Sequence, residues 1–567
     1  MAVNTTVVEL DLLHKQAFTT NLTSGSWYVN FEASYPDIAA ELRVGVLRQE
    51  ILELGSVLWD EAPMQQADNI EDLRANPNRW LYEPSNLYLH GPGSDSPVGH
   101  RLLIGLANRF SDRVIPDSSP RLTQGPTIKQ HRDPLFFGHF GFETDSIDLI
   151  NSDGQYDELS LDLQPFGGQS RIWRGTTVTP KQQQLSTGYI ETINISRDAV
   201  TFDIADRRKL LQRPIGPNSY LLVDYPLMDP NNEGKSIPLI YGACRNVPVV
   251  VTNETRETTP SYWSVRYADT SVTGNVGITD VRVDGEQGTI SYSNVDEEAG
   301  TLRIASADYL EGAEVTVDAT GELTNAIDVI QNMITGYTFF RYPADFDEAA
   351  WEAARAVAPD IGLCVLQQQP ILDLVEEIST SIFALFQVNP DGKFTIRLFE
   401  RQRTAPANLA ISREEILNWD EHEYDPSETI SSASVGYDRD WNERPGRELE
   451  HFRVLRNFER QVEIIRRTKL QRDGVFQTLL TARQAASDFA DTVLSIQGNI
   501  IGVVTVVVPI KWSGLQVGQW VYAQIDRPVR SALGWMLCEI TGVEVNLQDY
   551  VVTLDLRMWD QVTDPRA

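Results

Sequence analysis

The sequence predicts a mainly β, multidomain protein with a smaller α+β portion. Short segments of alternating apolar and polar residues recur along most of the chain, separated by turn-forming residues, which is the pattern of strands joined by turns. The chain has 567 residues, enough for roughly three to four domains. Hydrophobic residues make up 41% of it and aromatic residues 9%, so the composition is that of a folded chain rather than a disordered one.

Five segments are expected in order. They are an N-terminal mixed domain at 1–140, a first β-barrel at 141–245, a small β domain at 246–320, an α/β domain at 321–430 and a second β-barrel with a helix at 431–567. In the first barrel, strands are predicted at 170–174, 189–195 and 199–204. In the small β domain, Asp284-Gly285 favours a hairpin because an Asp-Gly pair suits a tight turn, and a second strand pair is expected around 296–300.

Helices are predicted at 38–58, 321–336, 347–357, 370–386 and 475–496. The clearest of these begins at Pro370, a residue that suits the first turn of a helix. From Ile371 to Phe386 its apolar residues recur at the i, i+3, i+4, i+7 spacing of a buried helix face. The 498–559 segment is again predicted to be strand.

Two distant β segments resemble each other. Residues 193–204 and 543–556 each contain a strand, a short polar turn and a strand ending Val-Thr-Φ-Asp-Φ, where Φ is apolar. Each follows a Gly-aromatic pair, Gly188-Tyr189 or Gly534-Trp535. Two interpretations stay open: any two hairpins share such features, or the chain holds two copies of one barrel, so that three chains could form a ring of six. The ring-forming strands would then include Ile193, Ile195, Val200, Phe202, Ile204, Val543, Val545, Val552, Leu554 and Leu556.

The charge balance excludes one class of function. The chain has 80 acidic and 48 basic residues and a net charge of −32. Nucleic-acid affinity comes largely from Lys and Arg contacts with phosphates, so the chain as a whole is a poor candidate for gripping DNA, RNA or an anionic membrane. The N-terminus lacks the features of a signal peptide, and the longest apolar run, 500–510, is too short to cross a bilayer. We expect a soluble protein made in a reducing cytoplasm, with no membrane insertion and no disulfide framework among its three cysteines.

No motif predicts an enzyme, a cofactor or a metal site. Gly234-Lys235-Ser236 lacks the Gly five positions earlier that a phosphate-binding loop requires, and the seven histidines show no zinc spacing. The segment 151–154 superficially resembles a calcium loop, but no Glu follows six residues after its Gly, which favours an Asx-type turn. Among 80 acids, neighbours such as Glu376 and Glu377 are expected by chance. They favour a solvated helix face, and a carboxylate-based hydrolase stays open.

One segment reverses the overall charge. Between Arg444 and Arg472, nine basic residues are interleaved with acids, a pattern typical of an ion-paired strand pair or helix face. The alternative is a basic patch that docks an acidic neighbouring subunit. Its residues would be Arg453, Arg456, Arg460, Arg466 and Arg467.

Several β motifs resemble tail proteins of long-tailed bacteriophages. They are the turn Asn151-Ser-Asp-Gly-Gln-Tyr-Asp157, the Gly-bounded strand at 168–175 and Ile237-Pro-Leu-Ile-Tyr-Gly-Ala-Cys-Arg-Asn-Val-Pro248. Leu515-Gln-Val-Gly-Gln-Trp-Val521 is similar to the barrel strand of baseplate hub proteins. The resemblance runs over about 140–567, and the first 140 residues match nothing specific.

The resemblance implies a structural baseplate or tail-tip hub of a siphophage, with two tail-tube-like barrels per chain and no catalytic residues. Such hubs are homotrimers that form a pseudo-six-fold ring. The ring joins the tail tube and the distal tail protein to the central fibre or other tail-tip proteins. The tape measure protein and DNA pass through it during DNA ejection, so DNA is a partner only in transit. The implied location is the virion tail tip, after assembly in the host cytoplasm.

Two other functions stay open. One is a host-surface-binding or glycan-degrading tail-tip protein. The other is a hexameric distal tail ring protein, in which only one barrel takes part in ring formation.

Overall fold

The computed structural model describes most of the chain from residue 140 onward and separate strands before it. The described residues are 4–14, 43–46, 54–59, 62–66, 79–83, 86–90, 102–113, 120–123, 125–132, 140–144, 146–154, 163–164, 169–179, 181–216, 218–254, 261–284, 290–309, 312–399, 405–406, 408–419, 429–442, 449, 451–469, 471–498, 502–525 and 534–562.

Strands dominate these residues, so the predicted fold class, mainly β with a smaller helical portion in a multidomain chain, is confirmed. The strands of the N-terminal part are β1 (Asn4–His14), β2 (Arg43–Val46), β3 (Leu54–Trp59), β4 (Ala62–Gln66), β5 (Arg79–Glu83), β6 (Asn86–His90), β7 (Leu102–Ser111), β8 (Thr127–Arg132), β9 (Phe140–Thr144), β10 (Ile147–Ile150), β11 (Leu163–Gln164), β12 (Gln169–Thr176), β13 (Gln183–Ile195) and β14 (Ala199–Asp206). Those of the middle are β15 (Pro214–Ile215), β16 (Leu239–Val251), β17 (Tyr262–Arg266), β18 (Val276–Val283), β19 (Tyr292–Asp296), β20 (Thr301–Ala305), β21 (Val315–Gly321), β22 (Gly362–Val365), β23 (Gln369–Pro370), β24 (Ala384–Val388) and β25 (Phe394–Leu398). The last are β26 (Ala410–Ile411), β27 (Asn418–Trp419), β28 (Ser432–Tyr437), β29 (Arg453–Asn457), β30 (Asp473–Gln477), β31 (Gly502–Pro509), β32 (Trp520–Ala523), β33 (Trp535–Asn546) and β34 (Val551–Val562).

Two large sheets organise the ends of the chain. The N-terminal sheet has the order β10-β14-β13-β12-β1-β7-β3-β4-β5-β6-β2, and the C-terminal sheet has the order β26-β32-β33-β34-β31-β27. β8 also pairs with β33, and β9 pairs with β8. Buried apolar residues of both sheets belong to one connected cluster. In β31 the burial alternates strictly along the strand, as expected when one face of a strand lies on the core.

The middle of the chain forms a separate core. Its main sheet has the order β18-β21-β16-β17-β20-β19, with β22 also pairing with β16. Gly242 of β16 has φ of +61, and a Cβ there would lie 1.8 Å from the backbone oxygen of Ile361, so only glycine fits. A separate three-stranded sheet, with the order β29-β28-β30, follows later in the chain.

The described residues contain six α-helices, most of which pack on this middle core. They are α1 (Thr270–Thr273), α2 (Ala326–Tyr337), α3 (Glu348–Arg355), α4 (Ile371–Ser381), α5 (Gln461–Thr468) and α6 (Arg483–Gln497). Asn325 caps α2 by accepting from the Ile327 N–H at 3.0 Å, which satisfies one of the first unpaired donors of the helix. Trp351 of α3 is fully buried, and its indole N–H donates to the Phe394 carbonyl at 2.9 Å. No helix among the described residues is long and apolar enough to cross a membrane.

Four predicted elements differ from the structure, and the helix predicted at 321–336 is one of them, because Gly321 ends β21 and α2 begins at Ala326. The helix predicted at 38–58 is wrong where the structure describes this segment, since 43–46 is β2 and 54–58 belongs to β3; pairing with neighbouring strands overrides a weak helical preference. α4 ends at Ser381 rather than Phe386, since Phe383 has φ of +53 and the chain then forms β24. α6 begins at Arg483, and β30 occupies the start of the predicted 475–496 helix.

The two predicted turns of the small β domain have different outcomes. The strand pair around 296–300 is confirmed, because β19 pairs with β20 across it. The hairpin predicted at Asp284-Gly285 runs into 285–289, which lie outside the described residues, and the strand before it, β18, pairs with β21. That pairing buries Val281 beside Val317, and the burial of this face decides the partner.

Candidate functional site: two matching hairpins

The two segments predicted as a repeat form hairpins with the same neighbours. The hairpin β13–β14 lies between β12 and β10, and the hairpin β33–β34 lies between β32 and β31. Each sheet therefore contains a four-stranded unit. When the strands of a unit are numbered by their order along the chain, both units have the sheet order 1-4-3-2. In each unit a short upstream segment also pairs with the outer strand: Leu122 with β10, and β27 with β31.

The register of the two hairpins also matches. Ile193 pairs with Phe202 in the first hairpin, and Val543 pairs with Leu554 in the second. Each long strand carries a bulge two residues before that pair, between 190 and 192 in β13 and between 540 and 542 in β33. A bulge is a specific feature that re-aims the strand and increases its twist. Its recurrence at one register favours two copies of one unit over a chance likeness of hairpins.

One part of the predicted repeat is wrong. Gly188 lies inside β13 and pairs with Asp206, so its counterpart in β33 by register is Cys538. Gly534 instead precedes β33 and has φ of +67. The two glycines have different structural roles and do not correspond. The matched region is 190–204 with 540–556, and its turn is two residues longer in the second copy.

The predicted ring-forming residues lie on the inner faces of these hairpins. Eight of them are buried, and Ile193 and Ile195 are half-buried against the same apolar cluster. The buried ones are Val200, Phe202, Ile204, Val543, Val545, Val552, Leu554 and Leu556. These side chains hold the hairpins together, so the hairpins themselves can contact another subunit only through their strand edges and their opposite faces.

The strands β8, β9 and β10 join the two units. β8 pairs with β33 of the C-terminal unit, and β9 pairs with β8. Two residues after β9 the chain enters β10, which pairs with β14 of the N-terminal unit. Both hairpins are therefore connected through three consecutive strands of the same chain.

A buried ion pair, missed in the sequence, lies where β8 meets β33. Arg132 Nη1 is 2.9 Å from Glu539 Oε1, and the two side chains are 2% and 1% exposed. The contact lacks the angles of a hydrogen bond, and Glu539 Oε2 has no hydrogen-bond partner among the described residues. Arg557 lies opposite Glu539 on β34 and is also buried. Arg132 is far in sequence from Glu539 and Arg557, so only the pairing of β8 with β33 reveals the ion pair.

The same strand pair carries an exposed ion pair. Lys129 Nζ lies 3.3 Å from Glu544 Oε2, with the side chains 45% and 38% exposed. Beside the C-terminal sheet, Glu415 is hydrogen-bonded to Lys511 and to Ser412. Burial opposes ionisation of Glu415, but the bonds from Lys511 and Ser412 outweigh it and lower the pKa of this carboxyl to about 2.

The predicted basic patch lies on β29 and α5. Arg453 pairs with Asp438 at 2.9 Å and is still 61% exposed, and Arg460 lies 3.8 Å from Glu463. Arg456 and Arg466 are exposed, and the side chain of Arg467 lies outside the described residues. Three large apolar side chains are also exposed between these arginines: Val454, Phe458 and Val462. We refer to Arg453, Arg456, Arg460, Val454, Phe458 and Val462 as the basic–apolar surface.

The other sequence motifs occupy ordinary structural positions. Gly234-Lys235-Ser236 follows a short 3-10 helix, and Lys235 Nζ donates to Asn232 Oδ1 at 2.6 Å. The segment 151–154 is a turn closed by the Gly154 N–H donating to the Asn151 carbonyl at 2.8 Å. Burial raises the pKa of all three cysteine thiols, which disfavours the thiolate that a nucleophile requires. Within the described ranges, no group of three or more His, Cys, Asp or Glu residues could hold a metal ion.

The chain is similar to solved structures of tail proteins and of a gene transfer agent virion. One is a tail protein from Neisseria meningitidis, at 10% identity, with 78% of this chain and 94% of that chain covered and a TM-score of 0.39. Another is the virion of a native gene transfer agent particle, at 10% identity, 59% and 88% coverage and a TM-score of 0.42. A third is a 43 kDa tail protein of prophage MuSo2 from Shewanella oneidensis, at 9% identity, 78% and 95% coverage and a TM-score of 0.37. No protein-family model and no curated protein matches the chain. All three TM-scores lie below 0.5.

Proposed function

We propose that this chain is a structural hub subunit at the tip of a long bacteriophage tail, and that three copies form a ring. The observation that carries the proposal is the duplicated four-stranded unit with a bulge at one register in both copies. Two similar units per chain give six similar positions in a homotrimer, so a trimer can match a six-fold tube. The proposal assigns the chain no catalytic activity.

In this arrangement the ring joins the tail tube and the distal tail protein on one side to the central fibre or other tail-tip proteins on the other. The link through β8, β9 and β10 supports it, because both units of a chain are held in one fixed relation. A ring of six units has six contacts between neighbouring units. Three of these contacts are then made within single chains, and only three have to form between chains.

The tape measure protein and DNA would pass through the centre of the ring. Phosphates bind strongly to clustered Lys and Arg, which would retard a passing duplex. A net charge of −32 fits a conduit that repels DNA and lets it slide. Measured binding of duplex DNA at physiological salt should therefore be negligible.

The basic–apolar surface is a candidate for subunit docking. Its exposed arginines are complementary in charge to a second copy of the chain, whose net charge is strongly negative. Its exposed apolar side chains would be removed from water on docking, which favours association. In the proposal this surface contacts an acidic region of the neighbouring subunit. Aromatic and Arg residues are the types enriched at protein interfaces.

Mass photometry of the purified chain tests the stoichiometry, alone and mixed with its tail-tube protein. A trimer of 63.7 kDa chains has a mass of 3 × 63.7 kDa, or about 191 kDa. A hexamer would replace the hub with a distal tail ring. Binding or cleavage of host envelope glycans by the monomer would favour a receptor-binding or glycan-degrading protein instead.

A further inference from the structure

The two matching units differ along one strand edge. In the C-terminal unit, β32 covers the first half of β33, and β8 pairs with its second half from Gly542 to Asn546. Within that stretch Val543 pairs with Gln130, and Val545 pairs with Ile128. The whole edge of β33 is thus covered by strands of its own chain.

In the N-terminal unit the corresponding half-edge lacks this second strand. β12 pairs with β13 only as far as Tyr189. From Thr192 to Ile195, no strand in the described ranges pairs with the side of β13 that faces away from β14. The Thr192 and Asn194 side chains are exposed, on the face of the sheet opposite to the one that carries Ile193 and Ile195.

The backbone groups on this edge can be assigned from the hairpin turn. The Ser196 N–H donates to the Ala199 carbonyl at 2.8 Å, so this pair is a hydrogen-bonded one. Bonded and non-bonded pairs alternate along antiparallel strands, which makes Asn194 bonded to β14 and leaves Ile193 and Ile195 in non-bonded pairs. The N–H and C=O groups of Ile193 and Ile195 therefore point away from β14, toward the open edge.

We propose that this edge of β13, from Thr192 to Ile195, pairs with a strand of a second copy of this chain. By register, Ile193 and Ile195 correspond to Val543 and Val545, the residues that pair with β8 in the other unit. If the two units occupy similar positions in a ring, each edge needs a strand at the same place. The chain supplies that strand to β33, and a neighbouring copy supplies it to β13.

This inference rests on the proposed function and specifies its subunit contact. Addition of a strand to an open edge gives affinity through main-chain hydrogen bonds. It also covers an edge that would otherwise be a site for uncontrolled pairing. Asn194 stands where Glu544 makes its ion pair with Lys129 in the other unit, so the contact would depend little on salt, unlike docking through the arginines.

Hydrogen–deuterium exchange of the full-length chain tests the contact directly. The exchange rates of single backbone amides are compared between diluted monomer and assembled oligomer. We expect the amides of Ile193 and Ile195 to become protected only in the oligomer, and the amide of Asn194 to be protected in both states. An oligomer of the expected mass with unchanged exchange at Ile193 and Ile195 would overturn the edge contact and leave the proposed hub intact. A chain that stays monomeric at all concentrations, with or without tail-tube protein, would overturn both.

A pair of variants at one position gives a second readout. Ile193→Pro removes the outward N–H without removing a bond to β14, whereas Ile193→Ala keeps that N–H and shortens the side chain. We expect Ile193→Pro to weaken association by about tenfold relative to Ile193→Ala, as for the loss of one intermolecular backbone hydrogen bond. Circular dichroism verifies that both variants are folded. Equal association constants for the two folded variants would count against the proposal.

Discussion

Replacing Glu539 with Gln is the sharpest test of how the two four-stranded units are joined. The ion pair between Arg132 and Glu539 is almost fully buried, at 2% and 1% exposure, so water screens it little. Glu539→Gln leaves the Arg132 charge buried without its counter-charge, which costs about 3–5 kcal/mol. Such a loss corresponds to an increase of more than about a hundredfold in the opening of β8 from β33.

A matched control lies on the same two strands. The exposed pair of Lys129 and Glu544 also joins β8 to β33, but surface pairs of this kind contribute less than about 1 kcal/mol. Native-state hydrogen exchange of the β33 amides measures the local free energy of opening for Glu539→Gln and Glu544→Gln. Equal losses for the two variants, within about 0.5 kcal/mol, would refute the argument from burial.

A double substitution separates the charge from the packing. In Arg132→Met/Glu539→Leu both buried charges are replaced by apolar groups of similar size. Glu539 Oε2 accepts no hydrogen bond in the described part of the chain. The attraction within the native pair therefore offsets only part of the free-energy cost of removing both charges from water. The double variant should therefore recover most of the stability that Glu539→Gln loses, and failure to recover would mean that the arginine has a role beyond the pair.

Three further outcomes concern other parts of the chain. Gly242→Ala should cost about 3 kcal/mol, because a Cβ there meets backbone. Gly234→Ala, also at positive φ but with nothing within 4 Å, should cost only about 1 kcal/mol; thermal melting that ranks them equally would contradict the steric argument. The pKa of Glu415 is lowered from 4.5 to about 2. Its stabilisation is therefore complete above pH 4.5 and is lost as the pH falls through about 2, so the melting temperature of Glu415→Gln should approach that of the wild type over this range. Arg456→Glu should weaken self-association at low salt and have less effect at 1 M salt, whereas Lys393→Glu, an exposed charge outside the basic–apolar surface, should leave association unchanged.

The fold class was predictable because it depends on local alternation, whereas several boundaries depend on distant partners. The apolar stripe from Ile371 to Phe386 fits a helix, yet its last residues belong to β24, where both faces are buried. A continuous apolar run suits either structure. The positive φ of Phe383 ends the helix, and no feature of the stripe itself marks that residue.

The repeat was visible in the sequence because the Val-Thr-Φ-Asp-Φ strands have the same inward and outward alternation. The bulge was not, since it changes the register without a distinctive residue: Glu191 occupies it in β13 and Thr541 in β33. The pairing of β8 with β33, and hence the buried pair of Arg132 and Glu539, joins opposite ends of the sequence. Periodicity within a segment carries no information on such contacts.

The pairing of β8 with β33 also sets the order in which the protein can be completed. Gln130 and its partner Val543 are 413 residues apart, and synthesis at about 5–20 residues per second takes roughly 20–80 s to cover that distance. During this interval β8 has been synthesised but its partner strand β33 has not. A chain that stops before β33 therefore cannot complete its C-terminal sheet. The long-range strand pair makes completion of this sheet depend on residues that are translated long after β8.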